Sequence, residues 1–240
     1  MAEFADPSGF PVLVHMGTPT SRLVFPPHEA VAASCGIRLI SYDRPGYGGS
    51  TPRPGRTVAS SAEDVRAIAE AFGIERFGLR GFSGGPPHGL AAAALLPGMV
   101  SGAVVLAAPA PGFEESITDY EKERDKLLSR TADQWRAVLP GAYAAFADFA
   151  VRTLPIALGQ GSEGWREDDE ALRNPWGFEL EQIRAPVRLR HGRADTAVPI
   201  ENGEAMAARI PGVEPEFTRD DHLGLLFRDP TDDFRWLASL

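Results

Sequence analysis

Ser83 stands at the centre of Gly81-Phe82-Ser83-Gly84-Gly85. An apolar, strand-like run over 77–82 leads into it and a helix-like run over 87–96 leaves it, which puts the serine on a sharp strand-to-helix turn. Such a turn strains the backbone, needs small neighbours, and exposes the hydroxyl above the edge of a sheet. The amides that open the helix then lie beneath it, at the positive end of the helix dipole. A serine hydroxyl is a weak nucleophile at neutral pH and needs a base within hydrogen-bond reach; histidine titrates in the useful range. The imidazole in turn needs a carboxylate to fix its tautomer and to stabilise it once charged. Both follow later in the chain. Asp195 comes just past a strand-like run over 187–191, and His222 lies in the acidic loop Arg219-Asp220-Asp221-His222-Leu223-Gly224. Serine, acid and base in this order predict nucleophilic attack on a carbonyl.

The elements around these residues alternate. Strand-like runs at 11–15, 37–42, 77–82, 103–107, 187–191 and 214–218 are separated by helix-like runs at 25–34, 59–72, 87–96, 199–209 and 232–240. Within 60–72 the apolar Ala62, Val65, Ile68, Ala69 and Phe72 recur at three- and four-residue spacing, as an amphipathic helix requires. Short strands joined by helices predict an α/β fold, a mostly parallel, doubly wound sheet with helices on both faces and right-handed crossovers. Asp195 and His222 then reach the same carboxyl-terminal sheet edge as Ser83. Residues 112–180 break the alternation, with helical periodicity at 120–128, 132–139 and 142–154, a polar acidic piece at 161–169, and Asn174-Pro175-Trp176-Gly177-Phe178. The organisation predicted is a core of 1–111 and 181–240 with 112–180 inserted.

Four stretches resemble the α/β-hydrolase superfamily, and the resemblance covers nearly the whole chain. They are His15-Met16-Gly17-Thr18-Pro19, Tyr42-Asp43-Arg44-Pro45-Gly46-Tyr47-Gly48-Gly49-Ser50, the Ser83 turn with Pro86-Pro87-His88 behind it, and the Asp195 and His222 loops. The second is the most specific and is similar to the loop found in single-domain esterases, lactonases, iminopeptidases and C–C bond hydrolases. The resemblance implies that Ser83 is the nucleophile, Asp195 the acid and His222 the base, with an oxyanion hole from the backbone amides of Gly84 and Thr18, or of Gly17. It implies a helical cap from 112–180, with Met16, Trp135, Phe146 and Trp176 as pocket candidates, and no metal or organic cofactor. Few residues precede the first clear strand, so the superfamily's leading hairpin is expected to be reduced. Two positions depart from the pattern. Met16 stands where a histidine usually orders the loop, which predicts a loosely held loop around Gly17 and Thr18. Asp221 stands where glycine is common, and a carboxylate there favours a protonated imidazole.

Rival assignments sit beside these. Glu114 and Asp119 follow the strand before the insertion and compete with Asp195, which also suits a helix cap. His15, His28, His88 and His191 compete with His222; His15 and His191 end strands and are expected to bond to loop backbone, and His88 to pack under the helix after Ser83. Arg80 lies inside the nucleophile strand and needs a buried partner. The function expected is hydrolysis of a small ester or lactone, with a proline-iminopeptidase-like or C–C bond hydrolase as the alternative and a non-catalytic small-ligand binder as the second.

The resemblance implies a small-molecule ester, lactone or amide as the partner, and composition excludes other classes. A net charge of -9 and a pI of about 5.1 argue against nucleic acid. No apolar run approaches the roughly 20 residues that cross a bilayer, and the amino terminus lacks the features of a signal peptide. The single Cys35 excludes an internal disulfide and points to a reducing, cytoplasmic setting. A monomer or homodimer is expected.

Overall fold

The computed structural model describes residues 1–114 and 116–240. In chain order its elements are β1 (Ala2–Ala5), β2 (Phe10–His15), α1 (Pro26–Ser34), β3 (Ile37–Ser41), α2 (Ser61–Ala71), β4 (Phe77–Phe82), α3 (Pro86–Leu95) and β5 (Val100–Leu106). Then follow α4 (Tyr120–Leu128), α5 (Ala132–Val138), α6 (Ala144–Ala157), α7 (Glu163–Arg173), β6 (Val187–Gly192), α8 (Ile200–Arg209), β7 (Glu214–Thr218), α9 (His222–Phe227) and α10 (Thr231–Ala238).

The strands form one seven-stranded sheet in the order β1-β3-β2-β4-β5-β6-β7. Every neighbouring pair is parallel except β1 with β3, so the sheet is mostly parallel, as the alternation predicted. The reduced leading hairpin survives as the single short strand β1, which pairs with β3 and not with β2. The sequence pattern had shown no strand there.

Side chains alternate faces along each strand. Val12 and Val14 face one core with Ile37, Leu39, Val104 and Leu106, closed by Phe25 and Ala32 near α1 and by Phe234 and Leu237 of α10. Leu13, Ile40, Leu79 and Val105 face the other, closed by Val65 and Ile68 of α2, Leu90 of α3 and Met206 of α8. The central helix α3 is buried from Pro86 to Ala93, consistent with its Ala-rich sequence, which packs closely against the sheet.

Helices α4 to α7 fill the segment between β5 and β6. Ala150, Leu154, Ala157, Leu158 and Trp165 of these helices and the turn between them form a small core with Tyr47 of the loop after β3. Helix α7 covers the piece at 161–169 that read as merely polar. Its buried side includes Glu167, Asp168 and Asp169, so its inner face is partly acidic rather than apolar. No helix among the described residues is long and apolar enough to cross a membrane.

Candidate active site

The turn at Ser83 has the strain its sequence demands: the serine has φ of 58°, in the left-handed region that side chains rarely occupy. Ser83 Oγ and His222 Nε2 lie 2.9 Å apart, and His222 Nδ1 and Asp195 Oδ2 lie 2.7 Å apart. Asp195 Oδ1 accepts the amides of Ala197 and Val198 at 2.9 and 2.8 Å, so the carboxylate both caps its own turn and faces the imidazole. With that carboxylate as acceptor, His222 Nδ1 donates, Nε2 is left with its lone pair, and the Ser83 hydroxyl donates to it. The Asp195 side chain is fully buried, whereas His222 is 19% exposed. The acid and base loops are also tied together, since Ala194 N donates to the Asp220 carbonyl at 3.1 Å. The rivals are elsewhere. Glu114 and Asp119 are exposed, and Asp119 caps α4 by accepting the Lys122 amide at 3.0 Å.

The loop after β2 presses on this serine. A methyl group on Gly17 would lie 2.9 Å from Ser83 Cβ and 3.3 Å from Ser83 Oγ. One on Gly84 would lie 2.6 Å from Thr18 Oγ1 and 3.4 Å from Thr18 N. The Thr18 and Gly84 amides are therefore neighbours beside the serine, and neither donates to any acceptor among the described residues. Orphaned amides at such a turn are the groups that would bind an oxyanion.

The expectation of a loose loop at Met16 does not hold. Arg44 Nη1 donates to the Met16 carbonyl at 2.8 Å and Arg44 Nη2 to Thr18 Oγ1 at 2.9 Å, and the Met16 side chain is buried against the α1–α10 core. The guanidinium thus holds the loop by one backbone carbonyl and one hydroxyl. Arg44 is in turn held by Asp168 of α7: Nε and Nη2 donate to Asp168 Oδ2 at 2.9 and 2.6 Å. Arg56 Nη1 meets Asp168 Oδ1 at 2.5 Å. Burial works to raise the Asp168 carboxyl, but the Arg44 and Arg56 guanidiniums outweigh it and hold it well below the usual carboxylate range. Sequence reasoning missed Asp168 altogether. The sequence offered one signal, Arg44 and Arg56 flanking a glycine-rich loop with a single neighbouring acid, Asp43, for the two arginines.

Asp221 also behaves differently from expectation. Its Oδ1 accepts the Tyr143 hydroxyl at 2.7 Å and the Gly224 amide at 2.8 Å, capping α9. The charge is engaged there rather than against the imidazole. Burial and Asp221 together push the Tyr143 hydroxyl up to about 12, so it remains a donor.

The pocket candidates divide. Met16 and Phe146 are near the serine's side of the sheet: Phe146 packs against the cluster containing Met16 and Phe82 and against the core of the inserted helices. Trp135 packs within the latter core, with Arg130 4.7 Å over its ring. Trp176 is a correction: it is 2% exposed in the opposite core, donates to the Leu172 carbonyl at 3.0 Å, and edges a cleft of about 380 Å³ beside Phe178 and Arg209. The remaining histidines are buried. His191 bonds the Val198 carbonyl at 2.8 Å as expected, and His88, on a buried side of α3, bonds the Ser61 hydroxyl at 2.8 Å. His15 makes no loop bond; both ring nitrogens lack a partner and the ring meets Tyr42 edge-on. His28 bonds the Leu226 carbonyl at 2.7 Å and lies 3.3 Å from Arg80, whose ionic partner is Asp233 of α10 at 3.9 Å.

The alpha/beta hydrolase fold family model matches residues 11–154, and the chain belongs to that family. It is 27% identical over 225 residues to a non-heme chloroperoxidase of Streptomyces lividans, covering 84% of this chain and 80% of that protein. An alpha/beta hydrolase fold protein from Nakamurella multipartita superposes with a TM-score of 0.76 at 25% identity, over 99% of this chain and 93% of the other. The enol-lactonase from Burkholderia xenovorans LB400 also gives 0.76, at 17% identity, over 98% and 92%. At that identity the likeness shows the fold alone.

Proposed function

We propose that this chain is a serine hydrolase that cleaves a small carboxylic ester or lactone through an acyl-enzyme. The observation that carries the reading is the unbroken chain from Ser83 Oγ to His222 at 2.9 Å and from His222 to Asp195 at 2.7 Å, beside the orphaned Thr18 and Gly84 amides. Ser83 attacks the carbonyl as His222 Nε2 takes its proton, and Asp195 stabilises the imidazolium. The two amides hold the tetrahedral oxyanion, a donor of that kind contributing roughly 3–4 kcal/mol in hydrolases. Protonated His222 gives its proton to the leaving alcohol; neutral again, it takes a proton from water, whose attack on the acyl-enzyme frees the acid and returns the proton to Ser83 Oγ. Helices α4 to α7 act as the cap, with Phe146 facing the acyl group. Membership of the alpha/beta hydrolase fold family is consistent with hydrolysis on this frame.

A fluorophosphonate probe tests the reading. It should label the parent at Ser83, and Ser83→Ala should abolish both labelling and turnover. A parent that does not label is a ligand-binding member of the fold. A panel of p-nitrophenyl esters, lactones and aminoacyl anilides, with hydrogen peroxide as an alternative acceptor to water, then ranks esterase, lactonase and peptidase chemistry.

A further inference from the structure

The buried charges between the core and α7 are more than a clamp. Arg44 uses all three guanidinium nitrogens: Nε and Nη2 on Asp168 Oδ2, Nη1 on the Met16 carbonyl, and Nη2 also on Thr18 Oγ1. The Thr18 hydroxyl accepts from Arg44, so its own proton points to Asp168 Oδ2, 3.1 Å away. The side chain of Thr18 is thus fully committed, while its amide stays free beside Gly84. Arg44 is 5% exposed and Asp168 is fully buried. A buried pair of this kind is poor evidence for stabilisation, because its desolvation offsets most of the attraction. Its fixed fork does, however, set geometry that a flexible cation cannot.

Arg56 provides the internal contrast. It meets the same Asp168 at 2.5 Å, lies 3.6 Å from Glu167 and donates to the Gly164 carbonyl at 2.9 Å, so it also fastens α7. No bond runs from Arg56 to the loop of Met16, Gly17 and Thr18. Two arginines therefore share one carboxylate, and only Arg44 passes its position on to the loop over Ser83.

We infer that Asp168 and Arg44 are positioning residues for the oxyanion-binding amide of Thr18, so that the inserted helix α7 sets the geometry of catalysis in the core. This rests on the serine-hydrolase reading. Arg44 fixes the Met16 carbonyl and the Thr18 hydroxyl, and the Thr18 amide between them is aimed as a result. Because the donor acts on charge that develops only in the transition state, its misplacement lowers kcat and leaves the KM of a small ester unchanged.

The experiment compares Arg44→Lys, Thr18→Val and Arg56→Lys with the parent. Ser83 is titrated to completion with a fluorophosphonate, so that kcat for p-nitrophenyl acetate is expressed per competent site. Affinity for an aryl boronic acid, whose tetrahedral adduct on Ser83 places an oxygen at the same amides, is measured alongside. Arg44→Lys should lose roughly 30-fold or more in kcat per site, with KM within about twofold and boronate affinity falling by a similar factor. Thr18→Val should lose roughly 5- to 30-fold in the same pattern. Arg56→Lys should lower the thermal midpoint and keep kcat per site within about threefold. The inference is overturned if Arg44→Lys and Thr18→Val keep kcat per site within about threefold, or if Arg56→Lys loses as much as they do. If Arg44→Lys yields no titratable protein, Thr18→Val, which exchanges one hydroxyl for a methyl, decides the matter alone. Failure of the parent to label refutes the underlying hydrolase reading instead, so the two failures are distinguishable.

Discussion

Gly17→Ala should be a mild change to the fold and a severe one to the chemistry. The residue has no left-handed backbone, so alanine is conformationally allowed there. Its methyl group would, however, lie 2.9 Å from Ser83 Cβ. Carbon atoms prefer about 3.5–4.0 Å, so the two loops must part by about 0.6 Å or more. The loop is pinned by Arg44 at the Met16 carbonyl and the serine by its strained turn, so part of the shift falls on Ser83 Oγ and part on the Thr18 amide. A misplacement approaching 1 Å costs about 10²-fold in such sites. We therefore expect kcat/KM for p-nitrophenyl acetate to fall about 100-fold, which is about 2.7 kcal/mol of transition-state stabilisation. Overpacking should lower folding stability by about 1–3 kcal/mol, leaving a folded protein. Gly98→Ala is the control, since Gly98 is exposed and a methyl there meets nothing within 4 Å. A Gly17→Ala enzyme within about threefold of the parent per titrated site would refute the close packing of loop on nucleophile.

Three further outcomes can be measured. Asp195→Asn presents an amide where His222 and two backbone amides all need an acceptor, and should reduce kcat by about 10⁴-fold, whereas Asp119→Asn should alter only the cap of α4; equal effects in an ester assay would move the acid. Burial and then Arg44 depress the His15 imidazole from 6.5 to about 3, so as pH falls through that window the unfolded chain takes up a proton that the folded chain refuses. Stability drops accordingly, by up to about 1.4 kcal/mol per pH unit for this one group, and urea midpoints between pH 7 and 4.5 should show a shallower acid slope for His15→Leu than for the parent; an unchanged slope would show that His15 is not held neutral. Tyr143→Phe removes the Asp221 bond but not the Gly224 cap; by loosening the loop that carries His222 it should cost about 3- to 10-fold in kcat for p-nitrophenyl acetate, and a kcat equal to the parent's would show that this bond does not position the base.

What could be read from the sequence and what could not divide along a physical line. Ser83, Asp195 and His222 were legible because turn chemistry is local: small residues around a strained serine, an acid that caps the turn after a strand, and a histidine in a loop in the right order. The strands were legible because alternating burial leaves an apolar signature, and each of the expected runs lies within a few residues of an observed strand. Helix α7 was not, because Glu167, Asp168 and Asp169 occupy its buried side, and a carboxylate face that is neutralised by arginines far away in the chain looks like a solvated one. Trp176 was misplaced for a related reason: an indole announces burial but not which side of the sheet receives it. The partners of Arg80 lie on α1 and α10, at the two ends of the chain, where no local pattern connects them.

The acidic face of α7 also determines how the inserted segment can be recombined. Gly164 packs against Gly46 so closely that a methyl on it would sit 2.5 Å from the Gly46 carbonyl oxygen, and Thr153 of α6 accepts the Ser21 amide at 3.0 Å. Helices α4 and α5, by contrast, have no buried residue. The insertion is therefore two inheritances of different kind. Its outer pair, α4 and α5, meets the rest of the insertion through side chains at the surface or half-buried, such as Tyr120 on Asp169 and Arg136 on Asp148, while α6 and α7 are fastened to the core at Ser21, Arg44 and Arg56. A chimera cut at the ends of the whole insertion would separate a carboxylate from both its arginines, and one cut around α4 and α5 would not.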